Sequence, residues 1–114
     1  MTRVIYNQGD IVWINFNPTQ GHEQKGRRPA IVYSLPDFQR LTGLIAVMPI
    51  TTKLHRYNIN IELPSELKTH GYIICQQFRT IDADAKEREV KLIETVPRTI
   101  VDKIIEILEQ FIRE

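Results

Sequence analysis

Short apolar stretches alternate with polar segments along the chain, a pattern that is typical of a small β-rich protein. In residues 10–16 both alternating sets of positions are largely apolar, so we predict a strand with at least one well-buried face. Residues 44–50 (LIAVMPI) form the most apolar stretch and predict a central strand. Further strands are predicted at residues 29–34, 58–63, 71–77 and 90–96.

The polar segments between these strands predict connections, and the last segment predicts a helix. Residues 17–28 contain two glycines and a proline without any hydrophobic period, so we predict a loop there, and residues 35–43 and 51–57 predict two more connections. Residues 81–88 have room for a short helical turn. After Pro97, which suits a helix start, apolar residues follow helical spacing. They are Ile100, Val101, Ile104, Ile105, Leu108, Phe111 and Ile112.

Five or six short strands and one terminal helix predict an α+β fold, mostly β, in which the helix caps a strongly curved sheet or barrel. With 114 residues and no linker composition, we expect residues 1–114 to form a single domain. The longest apolar run has seven residues (44–50), too few for a membrane span, and the N-terminus has no signal-peptide core. The lone Cys75 permits no internal disulfide, so we expect a cytoplasmic protein without membrane contact.

The net charge of +1 hides an uneven distribution. Residues 1–60 carry seven Lys/Arg against three Asp/Glu, whereas residues 61–114 carry eight against eleven. A basic surface for an anionic ligand, built mostly by the first half, is one interpretation. The other is that loops and a solvated helix simply differ in charge, and charge alone does not decide between them.

The sequence predicts neither a metal site nor a bound cofactor. His22, His55 and His70 lie far apart in the sequence without a paired spacing, and Cys75 has no second cysteine with which to bind zinc. No glycine-rich phosphate motif occurs. Because Cys75 lies in an apolar predicted strand, we assign it to the core rather than to catalysis.

The loop between the first two predicted strands concentrates the chemistry. Within seven residues it supplies two acid–base groups, an amide and three cations: His22, Glu23, Gln24, Lys25, Arg27 and Arg28. Two glycines allow the backbone to turn sharply and to approach a ligand closely. A long polar loop on a small rigid scaffold is a common location for function, although a solvated connection remains the alternative.

The run GDIVWINFNPTQGHEQKGRRPAIVYS, residues 9–34, resembles the opening of the MazF/PemK (Kid) family of bacterial toxin endoribonucleases. The family pattern is roughly D-P-T-x-G-x-E-Q-x-G-x-R-P, and here Asn17 replaces the more frequent Asp. Residues 49–53 (PITTK), 71–82 (GYIICQQFRTID) and 96–108 (VPRTIVDKIIEIL) follow in the family's order. The resemblance therefore covers nearly the whole chain.

This resemblance implies a small SH3-like (CcdB/MazF-type) barrel with a C-terminal helix, forming a homodimer. It implies the toxin of a type II toxin–antitoxin system, an mRNA interferase that cleaves single-stranded mRNA at short specific sequences without a metal and inhibits growth. A cognate antitoxin would bind the toxin and block its groove. Carried over by motif, Glu23, Arg28 and Thr51 are associated with catalysis, and His22 matches a histidine of the PemK/Kid branch.

One departure from the family narrows the mechanism. Some members use Arg and Asp at the positions of Ile74 and Gln76, so their version of the chemistry does not operate here. The version that remains has the neighbouring 2′-OH attack phosphorus, with Arg28 stabilising the phosphorane and Thr51 donating a hydrogen bond. Glu23 is the plausible base, and His22 is its rival, although His22 also fits a surface loop histidine.

Further residues are expected to contact RNA. Lys53, Arg56 and Arg79 fit phosphate contacts, with solvated side chains as the alternative. Phe16 and Phe78 flank polar stretches and fit either base stacking or the core, whereas Trp13 is assigned to the core. The full set expected to bind RNA is Phe16, Asn17, Gln24, Lys25, Arg27, Thr52, Lys53, Arg56, Gln77 and Arg79.

Three other hypotheses stay open. Arg28 would instead anchor the loop through a structural salt bridge, if it is not catalytic. In the second hypothesis the protein is a non-catalytic, CcdB-like toxin that binds a protein target such as DNA gyrase, and in the third it is an RNA-binding SH3-like module without cleavage.

The dimer interface is expected at strand edges within residues 44–63, away from the terminal helix, which by default packs on its own barrel.

Overall fold

The computed structural model describes residues 3–17, 21, 26–54 and 57–114. Seven strands and two helices follow one another in these ranges, with 3-10 turns at Cys75–Gln77 and Lys86–Arg88. The strands are β1 (Asp10–Asn15), β2 (Arg27–Val32), β3 (Leu44–Thr51), β4 (Asn60–Glu62), β5 (Tyr72–Ile74), β6 (Arg79–Asp82) and β7 (Lys91–Thr95). The helices are α1 (Pro36–Thr42) and α2 (Arg98–Ile112).

The sheet is antiparallel at each of these strand pairings, which confirms the predicted mostly β, α+β fold. Its order is β4-β5-β3-β2-β1-β7, and β6 also pairs with β3. The long strand β3 is central, as predicted: β2 lies along one edge, while β5 and β6 share the other. No pairing among the described strands joins β4 to β7, so the sheet is open.

Each face of the sheet carries its own apolar core, which explains why both sets of positions in β1 are apolar. Ile11 points into the first core, on the side of helix α2, and Val12 and Ile14 point into the second. The first core includes Ile11, Ile31, Met48, Ile50, Ile73, Cys75, Ile100, Val101 and Ile104. The second core includes Tyr6, Val12, Ile14, Phe16, Ala30, Val32, Ile45, Val47 and Ile81.

Helix α2 is the most accurately predicted element. It begins directly after Pro97, and Ile100, Val101 and Ile104 are buried in the first core. The stripe does not stay buried to the end, because Phe111 and Ile112 are 66% and 70% exposed. In the ranges that the structure describes, no helix combines the length and the apolar character needed to cross a bilayer.

Four sequence-based expectations need correction. Residues 35–43 are not a plain connection, because α1 forms there, with Pro36 in its first turn and Gly43 capping its end at a φ of 78°. Residues 79–82 form strand β6, and the strand predicted at residues 71–77 ends at residue 74. Arg27 and Arg28 belong to β2 rather than to the preceding loop. Trp13 is 37% exposed and therefore does not lie in the core.

Candidate active site

Strand alternation places Arg28 and Thr51 on the same face of the sheet. Strands β2 and β3 run antiparallel with Ala30 opposite Pro49, and Arg28 and Thr51 each lie two residues beyond this pair, where Thr51 pairs with Tyr72 of β5. Directly opposed residues point to the same face of a sheet. Since Ala30 belongs to the second core, Arg28 and Thr51 lie on that face, opposite the one covered by α2.

Both side chains are partly withdrawn from solvent, and this affects their chemistry. Burial lowers the pKa of the Arg28 guanidinium from its ordinary value. Thr51 is 8% exposed, and its hydroxyl oxygen accepts a hydrogen bond from the Lys53 backbone N–H at 3.2 Å. This contact uses a lone pair of the oxygen and does not engage the hydroxyl proton.

Arg79 adds a further cation to this face. It lies opposite Val47, a residue of the second core, in the β3–β6 pairing. Its Cζ atom is 5.8 Å from the centroid of the Phe16 ring, a cation–π distance. The face thus presents two guanidinium groups and a hydroxyl, a set that complements the charged oxygens of a phosphodiester.

The position of Phe16 does not agree with the hypothesis that its ring stacks on a base. Its ring is 1% exposed and packs in the second core, so it does not present a surface to a base. The alternative core assignment is therefore correct for Phe16. Phe78, in contrast, is 47% exposed directly before β6, and its ring is available for stacking.

The end of β3 fits closely against a glycine. Gly71 has a φ of 121°, and a Cβ atom there would lie 2.3 Å from the Thr51 carbonyl oxygen. It would also lie 3.2 Å from Thr52 Cα. Only glycine combines this backbone conformation with this approach, so Gly71 helps to fix the backbone that carries the Thr51 hydroxyl.

The two ends of the segment between β1 and β2 are closed by hydrogen bonds. Phe16 N–H donates to the Gly26 carbonyl at 2.9 Å, and Gly26 N–H donates to Asn17 Oδ1 at 3.0 Å. Asn17 N–H in turn donates to Asn15 Oδ1 at 3.1 Å. Asn17, which stands where relatives more often have Asp, thus supplies the side-chain oxygen that closes the segment.

Arg27 is held by a carboxylate. Its Nε and Nη2 atoms donate to the two carboxylate oxygens of Glu89 at 2.6 and 3.1 Å. The hydrogen bond and the opposite charge raise the pKa of Arg27 and lower that of Glu89, in each case relative to the ordinary value. An RNA phosphate would therefore compete with Glu89 for Arg27.

The remaining expected site residues are distributed as follows. Thr52 and Lys53 are exposed next to Thr51, and Gln77 is partly exposed in the turn before Phe78. Five expected residues lie outside the described ranges: His22, Glu23, Gln24, Lys25 and Arg56. Among the residues that the structure does describe, no group of three or more His, Cys, Asp or Glu side chains is arranged to hold a metal ion.

The two positions that depart from the family pattern have structural surroundings of their own. Ile74 is fully buried. Gln76 accepts a hydrogen bond from Ile59 N–H at 2.9 Å, and its amide donates to Asn58 Oδ1 at 2.8 Å. Gln76 therefore braces residues 58–59 in place of the charged side chain that some relatives carry.

Sequence reasoning missed Gly71, Arg88 and Glu89, because their contacts join distant parts of the chain. Glu89, for example, binds Arg27 across 62 positions. Gly71 could have been noticed as a glycine at the start of a predicted strand, but its contact with Thr51 depends on the folded sheet. For Glu89 no local signal exists.

The fold and the site together are typical of the small toxins of type II toxin–antitoxin systems. The fold is an open antiparallel sheet with a C-terminal helix, and one face of the sheet carries Arg28, Thr51 and Arg79. The chain belongs to the family described as PemK-like, MazF-like toxin of type II toxin–antitoxin system, whose model matches residues 7–112. This confirms the resemblance inferred from the sequence motifs.

Two relatives from Escherichia coli support the assignment of this chain to the family. The chain is 33% identical over 103 residues to endoribonuclease PemK of Escherichia coli, covering 86% of this chain and 75% of the relative. It is 32% identical over 81 residues to the endoribonuclease toxin MazF of E. coli K12, covering 71% and 72%. These relatives are endoribonuclease toxins.

Solved structures agree as well. MazF from Deinococcus radiodurans superposes with a TM-score of 0.88 at 28% identity, covering 98% of this chain and all of that one. The same protein in a MazE–MazF crystal structure gives a TM-score of 0.79 at 27% identity, covering 94% and 95%. The predicted MazF-type architecture is therefore confirmed.

Proposed function

We propose that this chain is an endoribonuclease toxin that cleaves single-stranded mRNA at short specific sequences without a metal ion. The observation that supports this most strongly is that Arg28 and Thr51, which lie on the paired strands β2 and β3, share one face of the sheet by strand alternation. The names of the relatives, endoribonucleases PemK and MazF, agree with it.

In the proposed reaction the 2′-oxygen of the nucleotide before the cleaved bond attacks phosphorus. The new P–O2′ bond forms as the P–O5′ bond breaks, leaving a 2′,3′-cyclic phosphate, which can hydrolyse to a 3′-phosphate, and a 5′-OH end. Glu23 takes the 2′-OH proton, with His22 as the alternative base, and the departing 5′-oxygen gains a proton from solvent water. Arg28 stabilises the charge on the phosphorane oxygens.

Thr51 donates a hydrogen bond from its hydroxyl group to one non-bridging oxygen of the same phosphorane. Its position supports this role, because the Lys53 N–H already occupies an acceptor site on the oxygen. Arg28 suits charge stabilisation because its planar fork binds two oxygens at once. Burial lowers the pKa of the Arg28 guanidinium and so makes it a stronger acid, but its main proposed role is charge stabilisation rather than proton donation.

The RNA contacts proposed around this pair are those on the same face or next to it. Arg79 and Lys53 bind phosphates, and Thr52 and Gln77 contact the strand at its sides. Phe78, rather than Phe16, stacks on a base, since its ring is the exposed one of the two. Arg27 contributes only where RNA displaces Glu89.

The proposed partners are a cognate antitoxin and a second copy of the chain. The antitoxin is supported by the toxin–antitoxin family and by the D. radiodurans MazE–MazF complex. A homodimer is proposed on the family resemblance, with its interface at strand edges within residues 44–63. Strand β4 fits this interface, because it pairs with β5 on one side and ends the described sheet on the other.

The test is incubation of the purified protein with a long single-stranded RNA in EDTA, followed by analysis of the fragment ends. We expect discrete fragments with 5′-OH ends. RNA that is shifted in a gel but intact would replace the proposal with an RNA-binding module. RNA that is neither bound nor cut would direct the search to a protein target.

A further inference from the structure

Glu89 has a backbone conformation that is costly for its residue type. Its φ is 51°, and it is the only residue other than glycine with a positive φ among the described residues. It caps the 3-10 turn at Lys86–Arg88, and its N–H donates to the Lys86 carbonyl at 3.2 Å. Such strain persists only where the surroundings enforce it, and it is frequent beside functional sites.

The turn of residues 86–89 grips the last residue pair of the β1–β2 ladder, Asn15 and Arg27. Glu89 binds Arg27 through two hydrogen bonds, at 2.6 and 3.1 Å. On the other strand, Asn15 Nδ2 donates to the Glu87 carbonyl at 2.9 Å. Arg88 Nη1 donates to the Asn15 carbonyl at 3.2 Å. We call these four hydrogen bonds the clamp.

The clamp lies directly beside the candidate active site. Arg28 follows Arg27 in β2 and is opposite Ile14 in the ladder. The clamp therefore fixes the backbone one residue away from the guanidinium that stabilises the phosphorane. Because successive residues of a strand point to opposite faces, Glu89 binds Arg27 without occupying the face that Arg28 shares with Thr51.

We propose that Glu89 is a positioning residue for RNA cleavage, which acts through Arg27 to hold the end of β2 and thereby the guanidinium of Arg28. This inference rests on the proposed ribonuclease function. Glu89 touches neither RNA nor the reacting atoms in this proposal. A displacement of about 1 Å at a positioned group is sufficient to lower a catalytic rate substantially, so a loosened end of β2 slows cleavage.

Stability alone does not explain a glutamate at this position. Arg27 and Glu89 side chains are 55% and 43% exposed, and exposed ion pairs contribute little to folding. Glycine would relieve the positive φ at residue 89. Glu89→Gly therefore separates a role in folding stability from a role in positioning. It removes the carboxylate and at the same time relieves the backbone strain, so a lower cleavage rate would not reflect a less stable fold.

The experiment measures kcat, KM and thermal unfolding for Glu89→Gly and Glu89→Gln with an RNA oligonucleotide that contains one cleavage site, in EDTA. The matched control is Glu87→Gln, which removes the same charge from the same turn. The Glu87 carboxylate makes no hydrogen bond or ion pair with the described part of the chain. A further pair of variants, Arg27→Gln with and without Glu89→Gln, tests whether Glu89 acts through Arg27.

We expect both Glu89 variants to remain folded and to have a kcat at least about five-fold below that of Glu87→Gln. KM stays equal or falls, because the freed Arg27 is available to a phosphate. In the Arg27→Gln background, substitution of Glu89 has no further effect on kcat.

Two results would overturn the positioning role while the unsubstituted protein still cleaves. One is a kcat for Glu89→Gly within about two-fold of Glu87→Gln. The other is that Glu89→Gln lowers kcat by the same factor in the Arg27→Gln background as in the unsubstituted protein. If the unsubstituted protein leaves RNA intact, the proposed function itself fails, and the positioning role fails with it.

Discussion

Gly71→Ala should destabilise the protein far more than the same change at Gly43. Both glycines have positive φ values, 121° and 78°, so alanine is strained at either position. They differ in their surroundings. A Cβ at residue 71 would lie 2.3 Å from the Thr51 carbonyl oxygen, whereas at residue 43 nothing lies within 4 Å.

The expected magnitudes follow from these two terms. Backbone strain costs about 1–2 kcal/mol at Gly43. At Gly71 a similar cost is joined by overpacking of about 1–3 kcal/mol, because the obstructing atoms belong to backbone and cannot rotate away. We therefore expect Gly71→Ala to lower the free energy of unfolding by about 3 kcal/mol or more. For a chain of this size that corresponds to a Tm decrease of roughly 12 °C.

The assay is urea and thermal unfolding of both variants, followed by circular dichroism. Cleavage by the folded fraction of Gly71→Ala should also be slower than cleavage by Gly43→Ala, since the carbonyl that must move belongs to Thr51. If the two variants have free energies of unfolding within about 1 kcal/mol of each other, the close contact is not a real constraint and the reasoning is refuted.

Three further outcomes are expected. Thr51→Val, which keeps the shape but removes the hydroxyl, should fold and lower kcat by about 10–1,000-fold, measured under single-turnover conditions; an unchanged kcat would remove the hydroxyl from the mechanism. Burial raises the pKa of Glu94, but hydrogen bonds from Thr69 and the Lys68 backbone outweigh this effect and leave the pKa below its ordinary value. Glu94 therefore stabilises the fold above the ordinary carboxyl pKa, and this stabilisation is lost as pH falls through its lowered pKa. Between about pH 5 and about pH 3, Glu94→Gln should therefore lose less stability in urea melts than the unsubstituted protein. Burial raises the pKa of Cys75 to about 11, so its thiol should react with a disulfide reagent at about pH 8 in urea but not in the folded protein; fast reaction of the native protein would contradict its core position.

Much of the fold was predictable because hydrophobic periodicity reports which faces are buried. Helix α2 followed from its apolar spacing, and β3 followed from an unbroken apolar run. Strand β6 was missed because only one of its four residues, Ile81, is buried. A single buried position gives no alternation of apolar and polar residues from which a strand could be predicted. Helix α1 was missed although Pro36 and Gly43 are boundary signals, because seven residues are too few for a clear period.

The candidate site was predictable only in part. Arg28 and Thr51 were identified from family motifs, and their position on one face of the sheet depends on the pairing of β2 with β3, which no local pattern shows. Phe16 was ambiguous because an aromatic residue next to a polar loop fits either a core or a binding surface. Glu89 was invisible, since its importance arises from a contact with Arg27 across 62 positions.

The most direct test of the account compares single-turnover RNA cleavage in EDTA by Arg28→Ala and Arg40→Ala. Arg40 is an exposed arginine on α1 that pairs with Asp37, so its replacement controls for the loss of one positive charge. Arg28→Ala should remain folded and lose at least about 100-fold in rate, while Arg40→Ala should cleave as the unsubstituted protein does. Equal rates for the two folded variants would contradict the claim that the face of Arg28 and Thr51 is the active site.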